Sequence, residues 1–390
     1  MTISRLSSRK IIFIIYEFLL VLLALKSFSF YSLRSMSLGI LVLISIVIGW
    51  FYQSYSDIKL SRKRLYTLFM VLCYFLYTLV NTMQYNVLFP LLVVLPIILL
   101  KDGEKKKLYI FLTQCLAIIL VATLVCWILY LCGFGFAYRD IEYEGRELVD
   151  YRYFLRSYGL IPRFQSLFLE PGHVGTICSL ILYVNNYDFK KPINYIYLFS
   201  ALFSLSLASY VLIVIGYIIK ILISNKSKFK ILVALVCFSS VLLGLYLATK
   251  ENEDSVLQQK IFKRLEFEDG EMAGSNRYSV TFEAFYDAKM SDVNTMIFGL
   301  GNQFNIQDYP GNAGYKIYVI QNGWLATLFL FLMYLSLTVE YKSLKSLGFL
   351  LLFILSFTQR AYATTYILMI LYIVSLPCLN SYSLTYAKNS

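Results

Sequence analysis

Long apolar runs recur from one end of this chain to the other, and they constrain its fold more than any other feature. LLVVLPIILL (91–100) and LYIFLTQCLAIILVATLVCWILYLC (108–132) are typical. Such runs need a dry environment, and in hydrocarbon every backbone polar group must be paired inside the protein. A run of about 20 apolar residues satisfies that demand as a helix. A transmembrane β-barrel would instead show short alternating segments, and these runs do not alternate. With 59% hydrophobic and only 15% charged residues, a soluble globule is excluded. The first run, IIFIIYEFLLVLLALKSF, follows a basic N-terminus as a signal peptide would. It lacks a small-residue cleavage site, and more runs follow, so it reads as the first span.

The expected fold is therefore an all-α polytopic membrane protein, a single integral membrane domain over residues 1–390. About twelve transmembrane helices are predicted, at 11–29, 36–54, 65–82, 86–100, 108–132, 172–187, 192–206, 208–224, 229–248, 318–338, 345–358 and 361–378. The boundary between the seventh and eighth falls near SLSLASY. Basic clusters occupy every second connection: Arg5, Arg9 and Lys10, then KLSRKR (59–64), KDGEKKK (101–107), Lys190 and Lys191, KSKFK (226–230), and Lys342 with Lys345. Lysine and arginine mark the cytoplasmic side, which puts both termini in the cytoplasm. The net charge of +12 is then a topology signal and not a nucleic-acid footprint. Two long external loops remain, 133–171 and 249–317, and long loops on a rigid scaffold are where function tends to sit. The seven cysteines sit in or at the ends of apolar spans without metal-ligand spacing, so no metal or cofactor is expected.

RFQSLFLEPGHVG (163–175) stands out. It brings Arg163, Glu170 and the only histidine of the chain, His173, within eleven residues. Pro171 and Gly172 fit a helix start, so the sixth span opens here with the positive end of its dipole facing outward. In a purely structural reading Glu170 caps that helix and Arg163 pairs with Glu170. In a functional reading Arg163 holds phosphate oxygens, and Glu170, or else His173, takes a proton from a hydroxyl. Upstream, RDIEYEGRELVDYRYFLR (139–156) has acids and arginines three and four apart, which predicts a solvated amphipathic helix. In the second loop, GSNRYSVTFEAFYDAKM (274–290) predicts a helix capped by Ser275 or Asn276. Tyr278, Phe282 and Phe285 would rest on the membrane surface, and Arg277 would stand at its N-terminal end. Gly299 and Gly301 in GLGN permit a tight turn or a close backbone approach, with Asn302 beside them. Gln321 and Asn322 in YVIQNGW (318–324) open the tenth span with amides suited to sugar hydroxyls or to helix capping. The acidic stretch 251–271 reads as a solvated surface.

These segments carry a resemblance. RFQSLFLEPGHVG after the fifth span resembles the arginine-to-Glu-Pro motif of the O-antigen polymerases, the Wzy proteins. NRY followed by VTFEAFYDA, FGLGNQF and QNGWLATLFLFLMYL resembles the shared core of the O-antigen polymerase and ligase superfamily over roughly residues 160–340. The resemblance implies a metal-independent, GT-C-like glycosyltransferase without cofactor in the bacterial cytoplasmic (inner) membrane. It would transfer a growing glycan from undecaprenyl pyrophosphate to a lipid-linked repeat unit on the external face. Its partners would be the undecaprenyl-pyrophosphate-linked oligosaccharide, membrane lipid, a chain-length regulator and a flippase. Arg163 and Arg277 would hold the pyrophosphate, and Glu170 or His173 would activate the acceptor. Gly299, Gly301, Asn302, Gln321 and Asn322 are the remaining candidate contacts. The ligase branch carries a histidine near the end of its second large loop, where this chain reads YVIQNGW, so the polymerase fits better than the ligase. A transporter or flippase is the competing class, but matched halves and mid-membrane charge clusters are missing from the sequence.

Overall fold

The computed structural model describes residues 2–55, 60–143, 145–158, 162–224, 267–268, 271–272, 278–309 and 314–386. The expected ninth span (229–248), Ser275, Asn276 and Arg277, and most of the acidic stretch 251–271 lie outside them. The described chain is predominantly helical. Its helices are α1 (Thr2–Ser27), α2 (Leu38–Ser54), α3 (Arg62–Thr82), α4 (Leu88–Leu99), α5 (Asp102–Leu131), α6 (Pro171–Val184), α7 (Ile193–Phe203), α8 (Leu207–Ile223), α9 (Val280–Met290), α10 (Val293–Phe298), α11 (Tyr315–Val339), α12 (Leu344–Gln359) and α13 (Tyr366–Tyr386). Of these α3, α5 and α11 are long and apolar enough to cross a membrane. Several start where sequence chemistry directs: Ser37 caps α2, Ser61 caps α3, and Pro171 occupies the first turn of α6, where its missing N–H costs nothing. The seventh and eighth apolar segments part at Ser204–Ser206, with Leu205 in the left-handed region at φ 46°.

Polar contacts sort the helix ends into two opposite sets. At one end Arg9 Nη2 donates to Glu104 Oε1 (2.8 Å), which also accepts from the Tyr52 hydroxyl (2.6 Å). There, too, Arg64 Nε donates to Glu340 Oε1 (3.0 Å) and the Tyr341 hydroxyl to Asp102 (3.1 Å). These tie the starts of α1, α3 and α5 to the ends of α2 and α11. At the other end the Ile367 N–H donates to Ser27 Oγ (3.1 Å) and the Tyr31 N–H to the Leu167 carbonyl (2.9 Å). The first set lies beside the basic residues Arg9, Arg64 and Lys101, and the second holds Tyr31 and Leu167, the latter in the loop 133–171.

The centre of the bundle is α6. All fourteen of its residues are buried, and it packs against α7, α8, α12 and α13. At 1.5 Å per residue it is only about 21 Å long, less than the roughly 30 Å hydrocarbon core.

Two expectations about the loops are corrected. Residues 139–156 do not form a helix. They form an antiparallel sheet, β1 (Arg139–Tyr143), β2 (Arg146–Asp150) and β3 (Leu155–Ser157), in sequential order. Gly145 at φ 69° lets a two-residue turn close β1 onto β2 with Tyr143 opposite Arg146, as such hairpins require. The charge spacing read as helical pairing is cross-strand instead: Arg139 faces Asp150 and holds its carboxylate at 2.9 Å. The second helix begins later than expected, at Val280, capped by Ser279. Its apolar face is covered by the protein itself. Phe282 is fully buried and packs with Tyr286, Phe304 and Ile320, and the Phe285 ring lies 4.9 Å from that of Tyr309.

Candidate functional site

Glu170 sits at the N-cap position of α6 in extended conformation, but its carboxylate makes no capping bond. Its two oxygens go to two arginines instead. Oε1 pairs with Arg146 of β2 and Oε2 with Arg360, the C-cap residue of α12. The side chain of Glu170 is 10% exposed, that of Arg360 21% and that of Arg146 49%. Arg360 crosses the start of α6, and Gly172 makes that possible: a Cβ there would come within 2.7 Å of Arg360 Nη2. A guanidinium beside the positive end of a helix dipole is electrostatically unfavourable, and the Glu170 carboxylate offsets it. The trio carries one net positive charge.

Burial alone would push the Glu170 pKa up. The charges around it, Arg360 foremost and Arg146 with it, outweigh burial and hold the carboxyl below the usual carboxylate value. A depressed folded-state pKa stabilises the fold above the unfolded pKa, and that stability is lost as pH falls through the folded value. Thermal unfolding of the purified protein from about pH 6 to about pH 3 is therefore expected to show the wild type losing stability below about pH 4.5. The Glu170→Gln variant loses less over that range, and the two curves converge at the acid end. Parallel curves would show that Glu170 is not held ionised.

His173, in the first turn of α6, is buried at 5% exposure. Its ring stacks on Phe28 (4.4 Å between centroids, 25°) and meets Tyr362 edge-on (5.3 Å, 73°). Neither ring nitrogen has a hydrogen-bonding partner among the described residues, which is uncommon for so buried a polar group. Its backbone N–H donates to the Glu170 carbonyl (3.1 Å).

Arg163 is directed elsewhere. Its Nε donates to the Ser204 carbonyl and its Nη2 to the Leu205 carbonyl, both at 3.0 Å. These are carbonyls that the end of α7 leaves without helical partners. Glu170 and His173 are thus brought together as the sequence suggested, while Arg163 braces the α7–α8 break. Arg277 lies outside the described residues. The arginines at the site, Arg146 and Arg360, were not singled out from the sequence.

The glycine loop serves packing. Gly299 (φ 76°) lies against α11, where a Cβ would stand 2.5 Å from the Gln321 carbonyl oxygen, and Gly301 (φ 58°) lies against the Asn81 carbonyl. The Leu300 N–H donates to the Ile320 carbonyl (2.8 Å), and Asn81 Nδ2 to the carbonyls of Phe298 (2.7 Å) and Asn322 (3.3 Å). The close approach expected of the glycines is present, made to the protein's own backbone. At this point α11 breaks, with Gly323 at φ 77°, ψ 169°. Asn302 is exposed on the turn that follows.

Gln321 and Asn322 line a cleft of about 330 Å³ between α3, the segment before α4, the first half of α11 and the 360–365 loop. That loop is shared. Arg360 and Tyr362 face Glu170 and His173, while Ala361 and Thr364 face the cleft. Among the described residues no three metal-ligating side chains cluster. No protein-family model matches this chain, and neither a curated protein nor a solved structure is significantly similar to it.

Proposed function

We propose that this chain is a repeat-unit polysaccharide polymerase of the cytoplasmic membrane, crossing it about twelve times with both termini inside. The observation that carries the reading is a buried carboxylate bracketed by two guanidiniums, beside an uncharged cleft at the loop-bearing end of the helices. The donor is a glycan linked through pyrophosphate to a polyprenol, and the acceptor is a sugar hydroxyl on a single lipid-linked unit. In the resting site Glu170 occupies both guanidiniums. The pyrophosphate draws off Arg146, the more exposed of the two, which frees Glu170 Oε1. Glu170 then accepts the hydroxyl proton as the acceptor oxygen attacks the anomeric carbon from the face opposite the leaving group. The bond from that carbon to the pyrophosphate oxygen breaks, and Arg146 and Arg360 stabilise the charge that develops there. His173 lies one turn from this centre and orients the start of α6. Arg163 keeps the α7–α8 break closed and takes no part in phosphate binding in this scheme.

The test is the surface polysaccharide ladder. Cells without the protein are expected to carry single-repeat glycans, and the wild-type gene to restore the ladder. Glu170→Gln, present in the membrane at normal level, lowers polymer formation by roughly 10²–10⁴-fold, the range for loss of a general base. Full-length polymer left on its lipid carrier in the deleted strain would make the protein a ligase, and lipid-linked repeats held on the cytoplasmic side would make it a flippase.

A further inference from the structure

We infer that the cleft beside the ionic cluster is a binding subsite for an uncharged saccharide, separate from the place where phosphate is held. Among the described residues its lining contains no Asp, Glu, Lys or Arg, so they offer nothing to neutralise a phosphate. What it offers is a ring of amides and hydroxyls over an aromatic floor. Gln84 and Asn86 stand on the turn before α4, Gln321 and Asn322 on α11, and Thr364 on the last loop, with Tyr318 beneath them. The Tyr318 hydroxyl is paired with that of Tyr74 at 3.0 Å.

Amide side chains carry donors and acceptors together, which suits a group whose every hydroxyl is also both. The side chains of Gln84, Asn86, Gln321 and Thr364 make no hydrogen bond to the described residues. Asn322 is different: its Nδ2 is held by the Tyr318 carbonyl (3.0 Å), which leaves Oδ1 as a fixed acceptor. The volume lies at the low end of the range for small-molecule sites, about 300–1,000 Å³, enough for a short saccharide and too small for a lipid carrier. The shared 360–365 loop serves both places: Arg360 pairs with Glu170, and Ala361 and Thr364 line the cleft. A sugar in the cleft and a phosphate on Arg146 and Arg360 would therefore be neighbours, as they are in a lipid-linked glycan. Only this last step rests on the polymerase reading. The saccharide preference of the cleft does not.

The experiment uses the purified full chain in detergent with three probes: glucose and N-acetylglucosamine, read by ligand-observed saturation-transfer proton NMR, and inorganic pyrophosphate, read by line broadening of its phosphorus resonance. At least one of the two sugars is expected to give saturation transfer with the wild type. Gln321→Trp, which fills the cleft, reduces that signal at least tenfold, and Arg146→Ala, which touches the ionic cluster away from the cleft-lining loop, leaves it. Inorganic pyrophosphate shows the reverse dependence. Asn86→Trp fills the cleft from a separate, exposed position and is expected to act like Gln321→Trp, so a folding defect at Gln321 does not decide the result. Sugar signals that survive both tryptophan variants, or that fail to exceed those of an unrelated membrane protein, overturn the subsite. If the sugar signal depends on the cleft but the gene restores no ladder, the polymerase reading falls and the subsite stands. If the ladder is restored while the cleft shows no sugar dependence, the subsite falls and the polymerase reading stands.

Discussion

Arg360→Ala is expected to eliminate the polysaccharide ladder and to destabilise the protein together. Removing this side chain leaves the buried Glu170 carboxylate with one partner, Arg146, which is itself half exposed. Breaking a buried pair by deleting one member typically costs about 3–5 kcal/mol, because the surviving charge stays buried without compensation. Arg146→Ala separates the two effects. Its side chain is half exposed, and solvent-screened pairs contribute about 0–1 kcal/mol, so the protein should stay far more stable than with Arg360→Ala while the ladder is lost as severely. Arg360→Lys keeps the charge but cannot reproduce the planar fork that spans Gly172, and is expected to recover stability more than activity. Thermal unfolding in detergent and ladder analysis in cells measure the two quantities. A fully stable Arg360→Ala protein with a normal ladder would remove Arg360 from the site.

Gly323→Ala is expected to leave almost no folded protein in the membrane. Gly323 has φ 77° and ψ 169°, a region open essentially to glycine alone, where a side chain costs on the order of 1–3 kcal/mol in strain. Space is the larger obstacle. A Cβ would collide with the Ile297 carbonyl oxygen and the Phe298 carbonyl carbon, which are backbone atoms that cannot rotate away. Gly299 meets the same contact from the other side, so neither partner can yield. Gly103 is the control: it lies in the first turn of α5 with nothing near the position of a Cβ. Gly103→Ala should be neutral or stabilising by up to about 1 kcal/mol. Equal membrane levels and melting temperatures for Gly323→Ala and Gly103→Ala would show that the break in α11 is not tightly packed.

The helices were legible in the sequence because one physical demand, backbone pairing within apolar runs, acts locally on each run. The start of α6 was legible for the same reason, since Pro171 signals within its own turn. The partners of Glu170 were not. Arg146 and Arg360 come from segments far apart in the chain, and no local pattern records that they converge. Arg360 does leave a trace: it is a lone arginine in a short connection between two apolar runs. Arg163 stands close to Glu170 in sequence, yet its guanidinium donates to carbonyls some forty residues away, a pairing that no local pattern records. The sheet at 139–157 was missed because alternating charges satisfy both a helical and a cross-strand pairing rule, and Gly145 is the residue that decides between them.

The enclosure of α6 has a consequence for the environment the protein works in. A helix in contact with lipid must tilt, or deform the bilayer around it, when the hydrocarbon thickness changes. All fourteen residues of α6 are buried within the protein, so its depth and tilt are set by protein packing. The end that carries Glu170 and His173 is thereby insulated from the thickness and composition of the surrounding membrane, and the outer helices absorb the mismatch.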